Sequence, residues 1–204
     1  MLETIDVILR TGGWILVPIA LASVVALAVI IERCWRLLPM RRRFAAVRAE
    51  CNEALLRGGA PAVMTHLDDH DALSRVWRAG LAAQDLGADG VRAMALDAAQ
   101  REIPRLERGL GVVLAVSQVA PLLGLLGTVA GLLHAFQAAS EAEAVTIKLL
   151  ADGVYRALST TAAGLFVAIP TFIAYVALSG VVARLADELE HAATDLPLLL
   201  RKVN

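Results

Sequence analysis

LGVVLAVSQVAPLLGLLGTVAGLLHAF, residues 110–136, decides the fold of this chain. It runs without a formal charge for longer than the roughly 20 helical residues a hydrocarbon core requires. Two further stretches qualify as spans: residues 12–31, and residues 154–183, charge-free from 157 to 183 between Arg156 and Arg184. The whole chain agrees, with 58% of its 204 residues hydrophobic and 19% charged, and a mean hydropathy of +0.65. That balance is too oily for a water-soluble domain of this size. Only 4% of residues are aromatic, while glycine and alanine abound, which suits helices that approach closely. The expected fold is all-α: an integral membrane protein with three transmembrane helices and a helical cytoplasmic segment.

The arginines set the orientation. Arg33, Arg36, Arg41, Arg42 and Arg43 follow the first span, and Arg101, Arg105 and Arg108 precede the second, against only Arg10, Lys148 and Arg156 on the other side. By the positive-inside rule the expected order is a periplasmic N-terminus (1–11), transmembrane helix 1 (12–31), a cytoplasmic helical segment (32–109) and transmembrane helix 2 (110–136). A periplasmic loop (137–153) carrying Glu141, Glu143 and Asp152, transmembrane helix 3 (154–183) and a cytoplasmic tail (184–204) complete it. Glu3 and Asp6 stand where a secretory leader has its basic region, so the first span is expected to remain as an anchor in the inner membrane. Within the cytoplasmic segment a helical run over 41–57 is expected to end at Gly58-Gly59-Ala60-Pro61, and a second, from Leu73, to break at Gly87-Ala88-Asp89-Gly90. Pro104 is expected to kink the helix that leads into the second span.

Nineteen Lys and Arg against twenty Asp and Glu leave a net charge of −1, without the basic excess that nucleic acid demands. Cys34 and Cys51 have no partner at metal-ligand spacing and read as free thiols. His66-Leu-Asp-Asp-His70-Asp71 puts two histidines at i, i+4 beside carboxylates, a pattern a metal can use, but a solvated polar loop after a Gly-Pro break is the commoner meaning. No nucleophile, phosphate loop or acid pair is arranged for chemistry on a substrate, so neither an enzyme nor a cofactor or metal site is expected.

Small residues form stripes on both later spans. Ser117, Pro121, Gly124, Thr128, Gly131 and Ala135 alternate at four and three, as do Ala157, Thr161, Gly164, Ala168 and Thr171; each set lies on one helix face. Gly124, Gly127, Gly131 and Gly164, with Pro121 and Pro170, are candidates for close helix packing. Packing alone leaves hydroxyls at Thr128, Thr160 and Thr161 unexplained, because alanine packs as well. Two readings stand: each threonine is satisfied on a carbonyl one turn back, or the hydroxyls line a wet ion path.

Residues 120–136 and 153–175 resemble the two signature helices of the MotA/TolQ/ExbB proton-channel family, in its ExbB and TolQ branch. Gly13-Trp14, Pro18 and Glu32-Arg33 are similar to the first span of that branch. The resemblance implies a homo-oligomeric ring, a pentamer, around the single transmembrane helices of an ExbD- or TolR-like partner whose intramembrane Asp carries protons. The ring would convert proton motive force into work on a periplasmic or outer-membrane process through a TonB- or TolA-like protein. It further implies that Thr128 and Thr161 face the lumen. Two positions depart from the pattern. Arg156 stands where the branch carries Glu, and a guanidinium cannot relay protons; it either snorkels to the interface or pairs as a fixed cation with a carboxylate of the partner or of a neighbouring subunit. His134 stands where the branch often has Asn, and is either interfacial or a proton relay. A stator of a gliding or other surface motor and a non-conducting scaffold paralogue are the alternative readings.

Overall fold

The computed structural model describes residues 14–68, 71–141 and 147–202. The expected N-terminal segment 1–11, Glu143, and the Asp69 and His70 of the histidine cluster lie outside the described residues, as does the Lys148 side chain. Five α-helices follow in order: α1 Leu16–His66, α2 Ala72–Leu81, α3 Gly87–Glu107, α4 Leu110–Glu141 and α5 Ile147–Arg201, with a short 3-10 turn Gln84–Leu86 before α3. No strand occurs among the described residues. Among the described residues three helices are long and apolar enough to cross a membrane. Large apolar side chains such as Leu21, Val24, Leu122, Leu133, Phe166 and Phe172 lie exposed along them, an arrangement stable only against lipid or other apolar helices.

Several boundaries differ from the sequence reading. The helix of the first span does not end with the apolar stretch, because α1 continues to His66; the Gly58–Pro61 breaker produces only a non-helical Gly59, at φ 66 and ψ −161, which a residue without Cβ adopts readily. The second break falls earlier than expected, over residues 82–86 with Gly87 at φ 75, and Gly90 lies inside α3. Pro104 does not end its helix. α3 passes through it to Glu107, and the turn into α4 sits at Gly109, φ 84, the residue able to take that conformation. The tail from 184 is the continuation of α5 to Arg201.

The chain divides into two compact units, residues 1–32 with 109–176, and residues 33–108 with 177–204. The second is a helical bundle. Leu37, Phe44 and Cys51 are buried at seven-residue intervals on α1, and Leu178, Val182, Leu185, Leu189, Ala192 and Leu196 on α5 follow a four-three rhythm, the seam of helices packed side by side. Gly80 of α2 admits the Leu196 side chain so closely that a Cβ there would stand 2.5 Å from its Cδ2. Asp71 caps α2 by accepting from the Ser74 N–H at 3.1 Å, so one carboxylate of the histidine cluster serves the helix terminus. Glu102 of α3, 4% exposed, accepts from Arg75 at 2.6 and 2.9 Å and from Arg105 at 2.6 Å. A buried carboxylate is tolerable because two guanidiniums satisfy it. Arg48 and Asp195, 2.8 Å apart, tie α1 to α5 within this unit.

Burial, then the nearby carboxylates Glu50 and Asp71, push the Cys51 thiol from 9.0 up to about 11. The neutral thiol is favoured in the fold, so this contribution to stability is complete below about pH 9 and is lost as pH rises through about 11. Since the thiolate is the nucleophile, Cys51 is expected to resist iodoacetamide in the native protein at pH 8 and to react after unfolding. Mass spectrometry of the alkylated peptide checks this; rapid native labelling contradicts it.

Candidate functional site

The candidate site lies in the membrane unit, on α4 and on the part of α5 before residue 177. The small-residue stripes meet as one seam. A Cβ on Gly164 would stand 2.5 Å from the Ala120 carbonyl oxygen, one on Gly124 2.9 Å from the Thr161 Cα, and one on Gly131 3.1 Å from the Ala157 Cβ. Gly127 faces Thr160 with its Cβ position 2.6 Å from the threonine Cβ, and Gly153 faces Ala135. Backbones approach this closely only where side chains are absent. Pro121 is half-buried and Pro170 exposed on α5; the glycines, not the prolines, bring the helices together.

The hydroxyls divide into two kinds. Thr160, 1% exposed, donates to its own-helix Ala157 carbonyl at 2.7 Å and lies 3.3 Å from the Gly124 carbonyl. Thr161 donates across the seam to that same Gly124 carbonyl at 3.0 Å. Gly124 thus supplies both the gap and the acceptor. Thr128 is half-exposed and donates only to the Leu125 carbonyl of its own helix, at 2.7 Å. Its oxygen keeps a lone pair for another donor. The sequence placed Thr128 and Thr161 on equivalent stripes; in the fold Thr161 is a seam residue and Thr128 is not.

Toward the Glu141 end of α4 the same unit opens a cavity of about 550 Å³. Gly127, Gly131 and His134 line it from α4, Asp152 and Arg156 from α5, and Trp14 from the residues just before α1. Arg156 donates to Asp152 at 3.2 Å, both side chains more than half exposed. The acid that meets Arg156 is therefore one turn away on its own helix. Asp152 had been read only as a loop carboxylate; the i, i+4 spacing to Arg156 was the signal available for it. His134 and Arg156, far apart in sequence, share this cavity.

The sequence pattern of the MotA/TolQ/ExbB proton channel family matches residues 68–191. Over 89 residues the chain is 47% identical to the Tol-Pal system protein TolQ of Haemophilus influenzae, covering 44% of this chain and 39% of that protein. An ExbB-like biopolymer transport protein of Synechocystis is 32% identical over 202 residues, 94% of this chain and 77% of the relative. The biopolymer transport protein ExbB of Neisseria meningitidis is 29% identical over 198 residues, 91% of this chain and 90% of the relative. The chain thus spans about two fifths of the TolQ relative and most of the two ExbB-type ones.

Proposed function

The chain belongs to the MotA/TolQ/ExbB proton channel family, and from that membership we propose that it is the ring-forming subunit of an inner-membrane proton channel that turns proton motive force into work on the cell envelope. The observation that carries the reading is the alignment with an ExbB protein over about nine tenths of both chains, in a chain with three charge-free apolar stretches, residues 12–31, 110–136 and 157–183. Five copies would enclose a lumen holding the single-span helices of an ExbD- or TolR-type partner, whose carboxyl group exchanges protons with water and, when protonated, can donate to the Thr128 hydroxyl oxygen. A TonB- or TolA-type protein would carry the motion outward. The arginines flanking the spans support a periplasmic N-terminus and a cytoplasmic C-terminus.

The small-residue seam leaves the outer faces of α4 and α5 apolar and exposed, which supports assembly with further helices. The test is reconstitution of the full chain with its single-span partner in vesicles carrying a pH-sensitive dye. Proton uptake under an imposed potential that requires both proteins, with five copies of this chain in native mass spectra, is the expected result. An assembled complex that passes no protons would favour the scaffold reading, which rests on Arg156 standing where the branch carries a carboxylate, since a guanidinium relays no protons. Monomers alone would remove the basis for a lumen.

A further inference from the structure

In the described part of the membrane unit, residues 14–32, 109–141 and 150–176, the charged or histidine side chains are Glu32, His134, Glu141, Asp152 and Arg156. Of these, His134, Asp152 and Arg156 line one 550 Å³ cavity. Asp152 and Arg156 are more than half exposed, just before the charge-free run 157–183, so they stand where water can reach a path through the span. The cavity has room for on the order of 15 waters at about 30 Å³ each. Along α4 it extends from Ala138 to Gly127, about 16 Å at 1.5 Å per residue, and Gly127 is the glycine against which Thr160 packs. The cavity therefore joins a charged rim to the level of the buried hydroxyls.

We propose that this cavity is the proton-binding mouth of the membrane unit, with Asp152 as the group that takes up the proton, His134 as a second acceptor across the cavity, and Arg156 as the residue that positions Asp152. The inference rests on the proton-channel reading and names the site at which protons enter or leave. A carboxylate offers about four lone-pair sites, and the Arg156 hydrogen bond at 3.2 Å uses one of them, on a side chain that lines the cavity and is more than half exposed. In the step itself a hydronium of the cavity water gives its proton to an Asp152 oxygen, leaving neutral Asp152 and water. The Arg156 contact weakens as the carboxylate charge disappears, and release of the proton to the next water restores the pair. Arg156 keeps all its protons throughout. Its fixed charge also disfavours the passage of metal cations through the mouth.

Two measurements test this on the full chain. In vesicles containing the chain and its single-span partner, Asp152→Asn is expected to lower proton flux by about tenfold or more, within the range seen when a positioned acid or base is removed, with the ring still assembled. Asp152→Glu should stay within about threefold of wild type, since a carboxylate remains within reach. Arg156→Gln should change the pH profile of flux, whereas Arg156→Lys should leave it in place. Wild-type flux in assembled Asp152→Asn overturns the proposal. Infrared difference spectra of the full chain in lipid nanodiscs, taken between neutral and acidic pH, need no flux. A protonated-carboxyl band that disappears in Asp152→Asn and persists in Glu141→Gln supports the mouth even if the channel reading fails; a band unaffected by Asp152→Asn overturns the assignment to Asp152.

Discussion

Gly164→Ala is expected to destabilise the chain by about 2 to 3 kcal/mol, the cost of forcing atoms into a filled contact. The added Cβ would stand 2.5 Å from the Ala120 carbonyl oxygen and close to the Gly124 Cα. Both obstacles are backbone, so no rotamer change relieves them; α4 and α5 must part, and the Thr161 hydrogen bond to the Gly124 carbonyl lengthens with them. Gly127→Ala should behave similarly, because its Cβ would meet the Thr160 side chain, but here the obstacle can be trimmed. Adding Thr160→Ala should recover part of the loss. Gly111 is the control: nothing lies within 4 Å of a Cβ there, so Gly111→Ala should be neutral or stabilising by up to about 1 kcal/mol through helix propensity. Size-exclusion thermostability of the detergent-purified variants reads all four. A Gly164→Ala protein as stable as wild type would mean the seam is looser than the geometry states.

The second large effect separates two threonines that look alike in sequence. Thr128→Val is expected to reduce proton flux about tenfold in the reconstituted complex while stability changes by less than about 0.5 kcal/mol, the usual size away from packed features. Its hydroxyl donates only within its own helix, so the fold does not depend on it, while its oxygen remains open to accept from water or from a partner's protonated carboxyl. Thr161→Val should do the reverse in emphasis. It removes the cross-seam bond to Gly124 and should cost about 0.5 to 1.5 kcal/mol, as interhelical hydrogen bonds in membranes do. Any loss of flux in Thr161→Val should track the loss of assembled protein. Full flux with Thr128→Val would assign both hydroxyls to packing.

The rim of the cavity bears on the same question. Asp152 and Arg156 form an i, i+4 pair exposed by more than half on both sides, and such a pair in water contributes little to stability. Replacing either residue should therefore leave stability nearly unchanged, so that a loss of flux in these variants reads function and not folding.

Read by itself, the sequence determined what depends on composition and period. Charge-free length over residues 110–136 and 157–183 specifies helices that cross a membrane, because backbone groups in hydrocarbon must be satisfied within the segment. The four-three rhythm of Gly124, Thr128 and Gly131, and of Thr161 and Gly164, marks the close-packing faces. It also carries the family resemblance. What it did not determine depends on which neighbour fills each space. Whether α1 ends near residue 31 or runs to His66 turns on Leu37, Phe44 and Cys51 finding a buried seam in the second unit; helix length in a folded chain follows packing more than local propensity. Arg75, Glu102 and Arg105 read as separate surface charges until α2 lies against α3 and one of them is buried. Thr160 and Thr161 are adjacent in sequence yet reach one carbonyl from two sides, and Thr128, on the matching stripe, reaches none across the seam. A helical period gives the face to within about 100° per residue. Which hydroxyl is spent on packing and which stays open is a matter of ångströms between two backbones, and only the tertiary structure sets that distance.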